Sequence, residues 1–140
     1  MPFRILLADD DATIRRLLRR LLEANPDWKV CGEAIDGVDA VQKVMQLGPD
    51  LLILDLSMPK MNGVDAGREI AKIRPQLPML LVTVQQVEGL AIAAFRELGF
   101  RGAVTKENGA EVVKAVESLS RGNVFFATPT VTVPELLEKV

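Results

Sequence analysis

Leu51-Leu52-Ile53-Leu54-Asp55-Leu56-Ser57-Met58-Pro59-Lys60-Met61-Asn62-Gly63 decides the fold of this chain. Its opening apolar run reads as a fully buried strand, and Asp55 stands at the carboxyl end, where open α/β sheets place their chemistry. A loop rich in turn residues follows. Upstream, Phe3-Arg4-Ile5-Leu6-Leu7-Ala8 is a second apolar strand, and it ends in Asp9-Asp10-Asp11. If the two strands are neighbours in a parallel sheet, Asp9, Asp10 and Asp55 converge on one small site. Their mutual repulsion is relieved by protons or by a hard dication, so the site calls for Mg²⁺.

The rest of the chain alternates strand and helix. Ile14, Leu17, Leu18, Leu21 and Leu22 follow the stripe of an amphipathic helix, with Arg15, Arg16, Arg19, Arg20 and Glu23 turned away, and Pro26 closes it. Trp28-Lys29-Val30-Cys31-Gly32-Glu33 suits an edge strand, and Asp36-Gly37 opens a helix near Ala40 to Leu47. After the Asp55 strand, the pattern predicts a helix from Val64 to Arg74, a buried strand Met79-Leu80-Leu81-Val82-Thr83, and a helix from about Val87 to Leu98. A short last strand, Ala103-Val104-Thr105-Lys106, and a helix from Ala110 to Arg121 complete five βα units. The expected fold is α/β: a doubly wound five-stranded parallel sheet of order 2-1-3-4-5, with helices on both faces.

A chain of 140 residues, 49% hydrophobic and 26% charged, fits one soluble domain. It has no apolar run long enough to cross a bilayer and no secretory leader, so a cytoplasmic location and no membrane partner are expected. Cys31 is the sole cysteine, which leaves no disulfide framework, and a buried inert thiol is the expectation. A net charge of −2 gives no basic footprint for direct nucleic-acid binding by these residues. Histidine is absent, which removes His triads, His metal sites and a phosphohistidine carrier role.

In the 2-1-3-4-5 order, Asp9 and Asp10, Asp55, Thr83 and Lys106 end consecutive strands, so one rim collects three acids, a hydroxyl and an ammonium. Polar strand ends meeting water would explain any one of these, but explain the group poorly. Phosphoryl transfer to a carboxylate needs a nucleophilic oxygen, a dication and donors for the remaining phosphoryl oxygens, and all are present. The segments Leu7-Ala8-Asp9-Asp10-Asp11, Leu54 to Gly63, Thr83 and Gly102-Ala103-Val104-Thr105-Lys106 together resemble the receiver domain of bacterial two-component response regulators, including receivers that precede helix-turn-helix domains. The likeness extends across residues 1–122. It implies a (βα)5 flavodoxin-like fold and phosphorelay signalling, in which Asp55 accepts a phosphoryl group from a sensor histidine kinase or phosphotransfer protein. It further implies that Asp10 and Asp55, with Asp9 through water and the backbone carbonyl of Ser57, hold Mg²⁺, while Thr83 and Lys106 grip the phosphoryl oxygens. Such a protein is no enzyme beyond slow self-phosphorylation and self-dephosphorylation.

Several residues depart from the family pattern. Ala103 stands where the family has a Tyr or Phe whose ring reorients with the threonine, and Phe100 is better read as a core residue than as a substitute. Val84 is β-branched where a small residue is usual, and it narrows the approach to the phosphoryl group. Glu107 replaces a proline after Lys106, so a trans peptide is expected there. The arginine face of the first helix is either solvated or an edge where kinase helices dock. In Leu90-Ala91-Ile92-Ala93-Ala94-Phe95, a core stripe of Val87, Ala91, Ala94 and Leu98 would turn Ile92 outward and Phe95 to the flank, suggesting a self-association face formed by the fourth helix, last strand and last helix. Residues 123–140 form a C-terminal tail or the start of a linker to an output domain, with Pro134 to Lys139 suited to a short helix. Two other classes stand beside the receiver. An aspartyl-phosphate phosphohydrolase would want an acid two residues after its nucleophile, where Ser57 stands. A degenerate receiver acting only as a protein-binding module is favoured by Ala103 and Val84, and opposed by the complete set of acids, Thr83 and Lys106.

Overall fold

The computed structural model describes residues 2–84 and 92–126. Strands β1 (Phe3–Ala8), β2 (Trp28–Ala34), β3 (Leu51–Asp55), β4 (Met79–Thr83), β5 (Phe100–Thr105) and β6 (Phe125–Phe126) alternate with helices α1 (Ala12–Glu23), α2 (Gly37–Leu47), α3 (Gly63–Ile73), α4 (Ile92–Glu97) and α5 (Gly109–Ser120). All neighbouring strands run parallel, in the order β2-β1-β3-β4-β5-β6. The expected order is therefore observed, with one short strand added at the β5 edge.

Side-chain alternation along the central strands builds two cores. Ile5, Leu7, Ile53, Leu80, Val82 and Val104 face α1 and α5, where Leu18, Leu22, Val112 and Val116 meet them. Leu6, Leu52, Leu54 and Leu81 face the other way, against Ala40 and Val44 of α2 and Ala66 and Ile70 of α3. Because β3 and β4 are covered on both faces, every residue of both strands is buried, which explains their continuous apolar runs. Phe100 is a core residue, 2% exposed, packed edge-on against Phe95 with ring centroids 5.9 Å apart. Gly67 makes room for it: a Cβ there would lie 2.5 Å from the Phe100 ring.

Two helix phases differ from the sequence reading. In α1, Leu18 and Leu22 are buried, whereas Leu17 is 51% and Leu21 41% exposed, because five apolar positions make a stripe wider than the sheet can cover. In α4, Ile92, Phe95 and Leu98 pack against the core and Ala94 is exposed. Ile92 therefore does not point outward: the larger side chains take the sheet side and the small alanine is left outside. Val87 and Ala91 of the expected stripe, and the expected helix at 134–139, lie outside the described residues.

The extra strand pairs Phe125 with Gly102 and Phe126 with Ala103. Register partners in parallel strands point to the same face, so Phe126 lies beside Ala103, with the Arg96 guanidinium of α4 5.8 Å from its ring. No cis peptide occurs among the described residues, and the bond after Lys106 is trans. Also among the described residues, no helix is long and apolar enough to cross a membrane.

Candidate functional site

The β1 and β3 strands are adjacent, and the chain winds outward from them in opposite directions, to β2 on one side and β4 on the other. This is the switch point of a doubly wound sheet, where diverging loops leave a crevice at the carboxyl ends of the strands. Asp9 follows β1 directly and Asp55 ends β3; each is 3% exposed, while Asp10 is exposed on the rim. One carboxylate oxygen from each of Asp9, Asp10 and Asp55 lies within 4.8 Å of the other two.

Lys106, just beyond β5, reaches across the rim. Its Nζ lies 2.7 Å from Asp9 Oδ2 and 3.2 Å from Asp55 Oδ1. The backbone carries it there: Lys106 N donates to the Thr83 carbonyl at 2.9 Å, joining the ends of β4 and β5. Thr83 itself is 2% exposed at the end of β4. Ser57 N donates to Asp55 Oδ1 at 3.3 Å, so the residue after next also turns toward the acid. The loop from β3 is pinned by Gly63, whose N–H donates to Leu56 O at 2.9 Å and whose missing Cβ would lie 2.1 Å from Asp55 O. Asn62 then caps α3 by accepting from Asp65 N.

Electrostatics follow from this crowding. Burial first, and then the charge of Asp9, push the Asp55 carboxyl from 3.8 up to about 6, against the opposing pull of Lys106 and the Ser57 N–H. Burial disfavours the Lys106 ammonium, but its pairs with Asp9 and Asp55 outweigh that and raise it above its ordinary value. Asp9 Oδ2 is buried, and the Lys106 ammonium at 2.7 Å is its ion-pair partner. Three carboxylates offering oxygens within 4.8 Å of one another, with one ammonium between two of them, leave negative charge in excess and form a donor set that fits a small hard dication.

The structure thus brings Asp9, Asp10, Asp55 and Lys106 together, with Ser57 and Thr83 bordering them. Val84 is 68% exposed beside Thr83. The arginine face of α1 divides. Arg16 and Arg20 are exposed, but Arg15 and Arg19 turn onto Glu33 of β2 at 2.9 and 2.8 Å. Arg15 Nη1 also donates to the Asp9 carbonyl at 2.6 Å. Hydropathy alone gave no sign of this contact. Asp36, 4% exposed, opens α2 as expected: it caps the helix by accepting from Asp39 N at 2.7 Å and lies 3.7 Å from Lys60 Nζ. A cleft beside the site is lined by Ile14, Leu17, Leu21, Lys106 and Gly109.

Residues 5–117 match the family model for the response regulator receiver domain. A two-component response regulator of the LuxR family from Aurantimonas sp. SI85-9A1 is similar in structure, with TM-score 0.85, 32% identity and 99% of each chain covered. The response regulator domain of Thermotoga maritima CheB is also similar, with TM-score 0.64 and 32% identity over 99% of this chain and 93% of that one. Among curated proteins, a protein-glutamate methylesterase/protein-glutamine glutaminase of Treponema denticola is 35% identical over 109 residues, covering 77% of this chain and 29% of the relative. The chain spans 16% to 30% of the length of the curated relatives it matches.

Proposed function

Because the chain belongs to the response regulator receiver domain family, whose work is phosphorelay signalling, we propose that Asp55 is its phosphoacceptor and Lys106 the residue that follows the incoming phosphoryl group. The observation that supports this most directly is the contact of Lys106 Nζ with both Asp9 and Asp55 across the mouth of the site. An Asp55 oxygen attacks phosphorus in line with the leaving nitrogen of a phosphohistidine, and an acyl phosphate forms as that P–N bond breaks. Lys106 needs only a small swing from the carboxylate oxygen to an equatorial phosphoryl oxygen, and the Thr83 hydroxyl supplies a second donor. A pKa of about 6 leaves Asp55 mostly ionised, hence nucleophilic, at neutral pH. Asp9, Asp10, Asp55 and the backbone carbonyl of Ser57 would hold Mg²⁺. When bound, that ion supplies charge neutralisation for the phosphoryl oxygens.

Ser57 carries no carboxyl to activate water, so turnover of the acyl phosphate is slow and the domain acts as a switch. The phosphodonor is a sensor histidine kinase or phosphotransfer protein, and the cleft between α1 and Lys106 is where its helix would lie. Exposed Leu17 and Leu21 offer apolar contact there, and Arg16 and Arg20 steer encounter. Residues 1–122 carry the phosphoacceptor unit, and residues 123–140 are the tail, part of which adds β6 to the sheet. Output would run through self-association on the face of α4, β5 and α5; because Ile92 packs inward, the support for this is the likeness to receiver domains and not an apolar patch on α4.

Incubation with acetyl phosphate and Mg²⁺, read by intact-protein mass spectrometry, tests the assignment. Wild type should gain one phosphoryl group, and Asp55→Asn should gain none. Equal labelling of both, or labelling that persists in EDTA, would overturn it. Rapid release of inorganic phosphate would indicate a hydrolase, and no mass gain in wild type a binding module.

A further inference from the structure

We propose that Arg15 is a positioning residue for the acidic pocket, clamping the peptide that joins Asp9 to Asp10 against Glu33 of β2 so that both carboxylates are presented to a divalent cation. The inference rests on the Mg²⁺ reading given above. It begins from how the backbone at Asp9 is held. Asp9 N donates to Ala34 O at 3.0 Å. On the other side of the same residue, the Asp9 carbonyl accepts from Arg15 Nη1 at 2.6 Å, while Arg15 Nε donates to Glu33 Oε1 at 2.9 Å. Both peptide groups flanking Asp9 are therefore referenced to consecutive residues of one strand, Glu33 and Ala34.

A peptide unit is planar, so fixing the Asp9 carbonyl also fixes the positions of Asp10 N and Cα, the base from which the Asp10 side chain leaves the rim. This matters because three carboxylates within 4.8 Å of one another repel, and a loose β1–α1 connection would relieve that repulsion by splaying Asp10 into water. The clamp is itself braced. Arg19 Nη2 donates to Glu33 Oε2 at 2.8 Å, so the carboxylate is held by two guanidinium groups, and Lys43 of α2 donates to the Glu33 carbonyl from the far side. The Arg15 side chain is 14% exposed, which limits the screening of its bonds by solvent. Burial opposes ionisation of Glu33, yet the bonds from Arg19 and Arg15 overcome it and hold the carboxyl below its ordinary value. Arg15 acts through the Asp9 peptide, the group its Nη1 holds.

The sign of the effect separates positioning from simple charge. Removing a positive charge near a cation site should tighten cation binding if Arg15 acts only through its field. Removing a clamp should weaken it, and outer-shell partners of metal sites are worth about 10–100-fold in affinity. Mn²⁺ affinity, measured by electron paramagnetic resonance of the free ion, is the readout. Arg15→Ala should bind Mn²⁺ about tenfold more weakly than wild type. Arg15→Lys, which keeps the charge but lacks the planar fork that reaches the Asp9 carbonyl and Glu33 together, should weaken binding in the same direction, while Arg16→Ala, which removes an exposed charge of the same sign, should not. Equal or tighter binding by Arg15→Ala overturns the clamp and leaves the metal site standing. Absence of Mn²⁺ binding by wild type overturns the metal reading and the clamp with it. Should Arg15→Ala fail to fold, Arg15→Lys decides: wild-type affinity in that variant refutes the proposal.

Discussion

Neutralising Asp55 should make the metal-free protein more stable, and by an amount that depends on pH. The carboxyl titrates near 6 in the folded chain against 3.8 ordinarily, so between those values the folded state binds the proton that the unfolded state has lost. Stability then falls as pH rises through that window, and the whole penalty is present above it. Two pH units at about 1.4 kcal/mol each give about 3 kcal/mol at neutral pH, and relaxation around the ionised group brings the expected difference to about 1–3 kcal/mol. Asp55→Asn keeps the shape of the neutral acid, and Lys106 retains its closer partner, Asp9 at 2.7 Å, so the ammonium is not stranded by the change. Urea unfolding of both proteins in EDTA, at intervals from pH 4 to pH 8, gives the comparison. Asp55→Asn should be the more stable at pH 7.5, and the gap should close toward pH 4. Saturating Mg²⁺ should also narrow it, because binding to the folded wild type adds stability by mass action. A variant no more stable than wild type at pH 7.5, or a gap that does not change with pH, would refute the account of the site as a set of frustrated carboxylates.

Two further outcomes follow from particular contacts. Val84→Ala should shorten the lifetime of the acyl phosphate, since the exposed branched side chain beside Thr83 limits the in-line approach of water; decay of the labelled protein followed by mass would show an unchanged lifetime if the gate does not exist. Gly63→Ala should cost at least about 1–3 kcal/mol in urea unfolding, because its Cβ would press on the Asp55 carbonyl, and it should lower phosphorylation more than an equally destabilising core change elsewhere.

The sheet was legible because parallel strands covered on both faces read as continuous apolar runs, and residues 5–8, 51–54 and 79–82 of β1, β3 and β4 are written that way. The acids at the ends of β1 and β3 and Lys106 after β5 could be placed together once strand order was known, since adjacency in a parallel sheet converts sequence position into position on the rim. Helix phase was harder. In α4 the small alanines and the larger Ile92 and Phe95 are all apolar, so hydropathy gives no phase, and volume decided which side met the sheet. In α1 a broad leucine stripe concealed that Leu17 and Leu21 would be left at the surface. The clamp on Asp9 was illegible for a different reason: Arg15 and Glu33 are 18 residues apart on different elements, and each alone reads as an ordinary surface charge. Strand β6 is two residues long and gives no period to detect.

That short strand bears on how the domain should be handled. The repeating pattern stops at residue 122, an attractive place to end a shortened chain, yet Phe125 and Phe126 are paired with Gly102 and Ala103 along the outer side of β5. Ending the chain there would strip the β5 edge of its partner and remove the ring that lies beside Ala103 under Arg96. A bared edge with unpaired N–H and C=O groups is a template for a second chain. The shortened protein would then dimerise with Asp55 unmodified, through the strand next to α4 and α5, and that artefact would mimic the association sought as the response to phosphorylation.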